Sequence, residues 1–359
     1  MTRLLIFNLA TDADDSALGF AVTWLAEFAK HVEAIDVMTM RAGHFELPSH
    51  VRVYSVGKEK GYSEFRRVVE FYWLLFRLLR QYRYDACFAH MMPLFAVMAA
   101  PILRLKKIPI VLWYAHKSVT PMLRIATWLV DRVVTSVPEG FRVKTEKLRI
   151  VGQGIPTDVF LPSNSWHVET SPFSIIMVGR ISPFKRIDLL LTALTSLKRR
   201  DPEFECSVKI IGEPLTAIDQ KYAERLRQQL RDEHIDELVQ FTGKIAFSEI
   251  VPFYQQADCI VNLCPTGAID KVVLEAMSCG VIPLVTNRSF QEVFGKEIAA
   301  LCMSDDDSEQ IASRLLAIHA LSKETRQTVG AQLREIVVRS HSLVALCQTI
   351  LYEITNESA

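Results

Sequence analysis

Two doubly wound α/β domains in tandem are the architecture this sequence predicts, on three observations. Short apolar, β-branched runs alternate with helix-length segments along the whole chain, as in parallel sheets buried on both faces. The alternation pauses once, at residues 152–172, where Gly, Pro, Ser, Thr and Asn gather without periodicity, the composition of a linker. The 359 residues also exceed one ordinary core, at roughly 100–200 residues per domain.

The first half offers strands at Leu4–Leu9, Ala34–Met40, Val51–Val56, Ala86–Ala89, Ile110–Tyr114, Arg132–Val137 and Leu148–Val151. Helices fall between most of them, at Ser16–His31, Ser63–Tyr82, Pro93–Lys106 and Pro121–Val130. After the pause, strands are read at Ser174–Val178, Ser207–Ile211, Val239–Thr242, Cys259–Leu263, Ile282–Val285 and Ala299–Met303. Helices are read at Arg186–Arg199, Ile218–His234, Phe247–Gln256, Lys271–Ser278, Ser308–Leu321, Lys323–Ser340 and a last one at His341–Thr355. The domains are therefore drawn at 1–155 and 173–340, joined by 156–172, with 341–359 as a closing helix. Ligands of such sheets sit at the carboxyl ends of the strands, so a cleft with the two sheets facing across it is the expected site.

Half of the residues are hydrophobic and 23% charged, which excludes a disordered or low-complexity chain. The formal charge of +0 conceals a split, since residues 1–165 carry a net +6 and residues 166–359 a net −6. The basic part holds no recognised binding module, so nucleic acid is not an expected partner. Seven cysteines are dispersed without a C-x-x-C pair. That pattern reads as buried, reduced thiols in a cytosolic protein, not a disulfide frame or zinc site. The N-terminus has no signal-peptide shape. No apolar run approaches the ~18–20 residues of a membrane span; Val68–Leu79 is broken by Glu70 and Arg77.

The fingerprints of several α/β enzymes are missing: no G-x-G-x-x-G follows the first strand, and neither a G-x-x-x-x-G-K-[ST] loop nor a G-x-S-x-G elbow occurs. Two other clusters carry chemistry. The run from Val178 to Arg186 closes the first strand of the second domain and opens its first helix. Gly179 lets backbone approach a ligand. Arg180 and Lys185 set a guanidinium fork and a compact ammonium at the mouth of the sheet, which suits a diphosphate; the plainer reading is a solvated basic turn. From Thr266 to Gly280, a glycine loop leads into a helix whose N-terminal amides and positive dipole end suit phosphate. Glu275 lies in a mostly apolar stretch of that helix and needs a partner. Ribose hydroxyls would serve, as would an i,i+4 pair with Lys271 on a wet face.

Taken with Ile210 to Pro214, Val239 to Gly243, Tyr254 to Asp258 and Leu274 to Gly280, these clusters resemble the retaining nucleotide-sugar glycosyltransferases of the group 1 family, which have the two-Rossmann GT-B architecture. The first domain matches more loosely, through Ala89-His90, Tyr114-Ala115-His116 and the segment from Ile150 to Pro162. The resemblance implies a nucleotide diphosphate sugar as donor substrate, no cofactor, no metal, and a hydroxyl acceptor on the first domain. It implies that Arg180 and Lys185 neutralise the donor diphosphate and stabilise the leaving group, that Glu275 binds the ribose, and that His116 lies near the donor sugar. Gly179, Gly212, Glu213, Gly267, Asp270 and Lys271 would line the donor site, with Lys244 and Ile245 holding the base. Ser16 and Gly19 would border the acceptor and phosphates, and the closing helix would pack back on the first domain. The implied chemistry is front-side displacement at the sugar C1, driven mostly by electrostatic stabilisation of the diphosphate.

Two departures qualify the resemblance. The family often carries two glutamates eight positions apart; here Glu275 is present, Gly267 occupies the earlier position, and Asp270 is the candidate substitute. The glycine pair of the family's first loop is reduced to Gly19. A catalytically idle nucleotide-sugar-binding subunit, and a nucleotide-sugar epimerase or hydrolase of related fold, are the alternatives. Asp12, Asp14 and Asp15 read as a polar loop and Asp305–Asp307 as a helix cap, not as metal ligands. His90 reads as an ordinary strand-end histidine.

Residues 50–107 hold 11 Lys and Arg against 4 Asp and Glu. On the helix around Ser63–Tyr82, Arg66, Arg67, Arg77 and Arg80 share a stripe with Trp73, the composition of an interfacial helix. A core-packed helix with Trp73 covered by a loop is the alternative. Lys58, Lys60, Arg104, Lys106 and Lys107 would extend the patch toward anionic lipid. The expectation is a cytoplasmic glycosyltransferase of glycan biosynthesis, peripheral on the inner face of the membrane, with a lipid-linked or cell-envelope glycan acceptor.

Overall fold

The computed structural model describes residues 3–15, 18–116, 118–163, 172–265 and 269–355. They form two units: Met1–Gly154 with Ser342–Ala359, and Ile155–His341.

In the first unit, β1 (Arg3–Thr11) pairs in parallel with β2 (Ala34–Ala42), and β2 with β3 (Val51–Ser55). On the other side of β1 lie β4 (Ala86–His90), β5 (Ile110–Trp113), β6 (Arg132–Thr135) and β7 (Leu148–Ile150), also parallel. The order is β3-β2-β1-β4-β5-β6-β7. Parallel neighbours need crossovers; α1 (Phe20–Ala29), α2 (Glu64–Gln81), α3 (Pro93–Leu105) and α4 (Pro121–Leu129) make most of them. The strands are apolar on both faces because both are covered. Leu5 and Phe7 of β1 join a core closed by Phe71 and Leu75 of α2, Phe95 of α3 and Leu123 of α4. Leu4 and Ile6 join the opposite core, closed by Trp24 and Phe28 of α1 and by Leu346 and Ile350 of the chain's last helix, Leu343–Thr355. The alternation is the strand period of two.

In the second unit, β8 (Phe173–Val178) lies between β9 (Cys206–Ile211) and β11 (Cys259–Asn262), with β10 (Val239–Gly243) and β12 (Ile282–Val285) outermost, all parallel. Helices follow as α5 (Ile187–Arg200), α6 (Ala217–Asp232), α7 (Val251–Gln255), α8 (Lys271–Ser278), α9 (Phe290–Cys302), α10 (Ser308–His319) and α11 (Lys323–His341), and the last described helix, α12 (Leu343–Thr355), belongs to the first unit. The strand order β10-β9-β8-β11-β12 reverses at β8. The carboxyl ends of β8 and β11 therefore flank the switch point where such sheets take ligands. All seven cysteines are buried and unpaired.

Two segments differ from the sequence reading. Ala299–Met303, expected as a strand, is the end of α9, and Met303 alone makes a bridge, to Val285. A short apolar run fits strand and helix equally, and its alanines favour helix. Residues 155–163, expected as linker, are built into the second unit. Phe160 is fully buried, with ring centroids 5.6 Å from Phe247 and 5.8 Å from Tyr254. Arg334 of α11 donates to the carbonyls of Thr157 (3.0 Å), Phe160 (2.8 Å) and Ser278 (2.6 Å). Arg334→Ala removes these charge-assisted bonds. It is expected to lower unfolding free energy by about 2–3 kcal/mol, read as a lower urea midpoint at unchanged slope.

Candidate active site

Three strand ends of the second unit set the floor of the site. Gly179 and Gly212 follow β8 and β9, and Gly243 ends β10, with φ of 132°, 144° and 77°. A Cβ on Gly212 would stand 2.0 Å from the carbonyl oxygen of Gly179, so the β8 and β9 ends touch backbone to backbone. A Cβ on Gly179 would stand 2.8 Å from Cε of Lys185. The lysine stem thus lies along bare backbone, a close approach that only glycine permits.

Lys185 closes a 3₁₀ turn, Pro183–Lys185, ahead of α5. Its Nζ donates to Oδ2 of Asp270 at 2.9 Å, and Nδ2 of Asn262 donates to the same oxygen at 2.7 Å. Asn262 is the last residue of β11 and is buried. Asp270 is the N-cap residue of α8 yet makes no capping bond; an N-cap Asp ordinarily accepts from its own first turn. Burial opposes the Lys185 ammonium, but Asp270 more than offsets it, so the lysine titrates above its usual range. Burial also opposes the Asp270 carboxylate, but Lys185 together with the bonds from Asn262 and Cys264 outweighs it, holding Asp270 below its usual range. The Cys264 thiol, beside both, is pushed up to about 12, chiefly by burial.

Glu275 lies in the second turn of α8 and is buried. Its Oε2 accepts from the hydroxyl of Tyr254, itself fully buried, at 2.9 Å. Burial pushes Glu275 up to about 6, against the pull of Tyr254 and Lys271. Burial pushes Lys271 down to about 7, with Glu275 opposing. Lys271 and Glu275 thus act on each other's ionisation at i,i+4, and the buried Glu275 does not lie on a wet face.

Arg180 stands differently. Its side chain is 49% exposed, and its Nε is 3.9 Å from Asp219. Asp219 is already engaged in the capping box of α6 with Thr216. The guanidinium is loosely held and open to an anion. Glu213 accepts through its carbonyl from the Ile181 amide at 3.1 Å, fixing the turn that carries Arg180. Lys244 is exposed and Ile245 half-buried, just past β10. Gly267 lies outside the described residues.

The remaining sequence candidates belong to the first unit. His116 is exposed, beyond the carboxyl end of β5, and its Nδ1 accepts from the Ser118 amide at 3.1 Å. In the neutral ring this bond puts the proton on Nε2, a donor. Gly19 precedes α1, where a Cβ would stand 2.7 Å from the carbonyl of Asp15; Ser16 lies outside the described residues. Asp12 and Asp15 pair with Arg41, and Asp307 caps α10 by accepting from Gln310 at 3.1 Å. His90 packs among Trp24, Phe20, Phe88 and Trp113. On α2, Arg66 stacks over Tyr62 and Arg77 over Trp73, while Arg67 turns back to the Tyr62 carbonyl and Arg80 is exposed. Trp73 is 53% exposed.

Sequence reasoning missed Asn262, Cys264 and the link from Tyr254 to Glu275. Asn262 had a readable signal, a polar residue closing an otherwise apolar buried strand at its carboxyl end. The other two pairings join residues distant in sequence and had none.

A twin parallel α/β fold with cations at the strand ends of its second unit is the GT-B class. Residues 172–320 match the model of the family described as glycosyl transferases group 1, and the second unit belongs to that family. The D-inositol 3-phosphate glycosyltransferase of Corynebacterium jeikeium is 30% identical over 44% of this chain, which spans 40% of that relative's length. A GDP-mannose-dependent phosphatidylinositol monomannoside mannosyltransferase of Mycolicibacterium smegmatis is 33% identical over 32% of this chain and 30% of its own length. Among solved structures, Anabaena HepE with UDP and glucose superposes with a TM-score of 0.76 over 99% of this chain and 100% of its own, at 16% identity, a likeness of fold. No described helix is long and apolar enough to cross a membrane.

The ion pair is testable by stability. Lys185→Met should cost about 1–2 kcal/mol, because it leaves a half-buried carboxylate without its counter-charge. A carboxylate with a lowered folded pKa stabilises above its unfolded value and loses that contribution as pH falls through the folded one. In Lys185→Met the carboxylate, raised by burial and without its counter-charge, takes up a proton before the paired one does. The wild-type advantage, measured by urea unfolding, is therefore expected to be full at about pH 8 and to shrink steadily as pH falls through the carboxylate range.

Proposed function

We propose that this protein is a retaining hexosyltransferase that moves a sugar from a nucleotide diphosphate donor to a hydroxyl acceptor. The observation that carries the reading is the gathering of Lys185, Asp270 and Asn262 at the switch point of the unit that matches the family, with half-exposed Arg180 on the same strand end. Arg180 and Lys185 take the diphosphate and stabilise it as it leaves. Glu275, a buried carboxylate oriented by Tyr254, offers an acceptor to the donor ribose. Lys244 and Ile245 meet the base, and His116, a donor through Nε2, is kept as the first unit's candidate catalytic residue. The acceptor attacks from the face the phosphate leaves, so no protein nucleophile is used.

A panel of UDP-, GDP-, ADP- and dTDP-sugars tests the donor site. The matching donor at 100 times its Kd should add about 2.7 kcal/mol of stability, and Arg180→Ala should abolish the shift and lower kcat/KM roughly 10²–10³-fold. A shift with no donor would favour the idle subunit. Anomeric analysis of the product by NMR separates retention from inversion and from epimerisation or hydrolysis.

A membrane-borne acceptor is the second part of the reading. Phe65, Val69, Trp73 and Phe76 form one exposed stripe on α2, and Phe65 is 80% exposed. Arg66, Arg77 and Arg80 flank it. On the same layer, Leu105 is 87% and Trp128 73% exposed, beside Arg104, Lys106, Lys107 and Arg124. Apolar tips ringed by cations suit the surface of an anionic bilayer on the cytoplasmic side. Trp73→Ala should weaken sedimentation with phosphatidylglycerol vesicles several-fold and leave binding to phosphatidylcholine vesicles unchanged; equal sedimentation of both proteins would remove α2 from the interface.

A further inference from the structure

We infer that Asp270 is a positioning residue that also sets how tightly the donor site holds a diphosphate: its carboxylate fixes Lys185 and opposes the ligand's charge, so that the nucleoside diphosphate is released. The inference rests on the diphosphate reading of Arg180 and Lys185.

Three observations carry it. Lys185 does not meet the site as a free cation, because its ammonium lies 2.9 Å from the Asp270 carboxylate. Asp270 forgoes the bond to its own helix that its position offers and turns to the lysine instead. Asn262, buried at the end of β11, donates to the same oxygen at 2.7 Å, so the carboxylate is held from a second strand end and does not swing aside. Lys185 itself is pinned along Gly179. The two charges therefore stay together when an anion arrives. The diphosphate meets a lysine whose field is largely cancelled at any distance beyond the pair, and a negative charge within a few ångströms. Arg180, 49% exposed and 3.9 Å from Asp219, is left as the stronger attraction. A site with two undiminished cations would bind the product diphosphate more tightly and let it go more slowly.

Asp270→Asn removes the charge and keeps the oxygen that Lys185 and Asn262 use. The dissociation constant is measured at pH 7 for the tightest binder among UDP, GDP, ADP and dTDP, and for its parent nucleoside, on wild type, Asp270→Asn and Arg180→Ala. The expected result is tenfold or more tighter binding of the diphosphate to Asp270→Asn, with nucleoside affinity unchanged and a steeper loss of affinity with added salt. Unchanged or weaker diphosphate binding overturns the inference, and so does equal tightening of diphosphate and nucleoside, which marks a reshaped pocket. Arg180→Ala separates the layers. If it weakens the diphosphate while Asp270→Asn does nothing, this inference alone falls; if it too does nothing, the donor-site reading falls with it. Asp270→Ser, which also keeps an acceptor for Lys185, replaces the asparagine variant if circular dichroism shows that variant unfolded.

Discussion

The backbone contact between the ends of β8 and β9 is the constraint on which the candidate site depends. Gly212 packs against the Gly179 carbonyl so closely that a Cβ would overlap it. Because Gly179 is bare, the Lys185 stem runs along it and brings its ammonium to Asp270, whose carboxylate Asn262 holds from the end of β11 across the switch point. A side chain at either glycine would part the strand ends or lift the lysine. The chemistry of the second unit is thus set first by sterics and only then by charge.

Charge in this site is paired before any ligand enters. Lys185 and Asp270 stabilise each other's ionised forms. Lys271 and Glu275 are drawn by burial toward their neutral forms, the opposite tendency, one helix turn away. Asp270 lies close enough to raise Glu275 further. Arg180, with a single long contact to an occupied carboxylate, is the cation least committed to the protein. The division fits a site in which the fixed Lys185–Asp270 pair holds the strand ends together while one open cation is left to meet an anion.

The fold was legible because its strands are buried on both faces, which leaves an unbroken apolar signature, and because the alternation with helices is regular. The miss at Ala299–Met303 came where five apolar residues lacked period and flanking turn signals. Of the site, Arg180, Lys185 and Glu275 were legible as charges at strand ends or within an apolar helix. The pairing of Lys185 with Asp270 was not, since it spans the switch point and depends on three crossovers having run their course. On α2 the sequence suggested a basic stripe around Trp73; the exposure of Phe65 and Phe76 beside it depends on which face the sheet takes, which the helix period alone does not say.

The short helix α8 shows why residues 155–163 matter to the site. It has eight residues, below the length at which a helix persists alone, yet it carries Lys271 and Glu275 and begins at Asp270. Tertiary contacts must hold it at both ends. At its start, Asp270 is anchored to Lys185 and Asn262. At its end, Ser278 donates to the Phe160 carbonyl at 2.7 Å and Arg334 gathers Ser278, Phe160 and Thr157. Phe160 also packs on Tyr254, the residue that orients Glu275. The segment that composition marks as a spacer is thereby a structural support of the carboxylate, and a change there should act on Glu275 without touching any ligand.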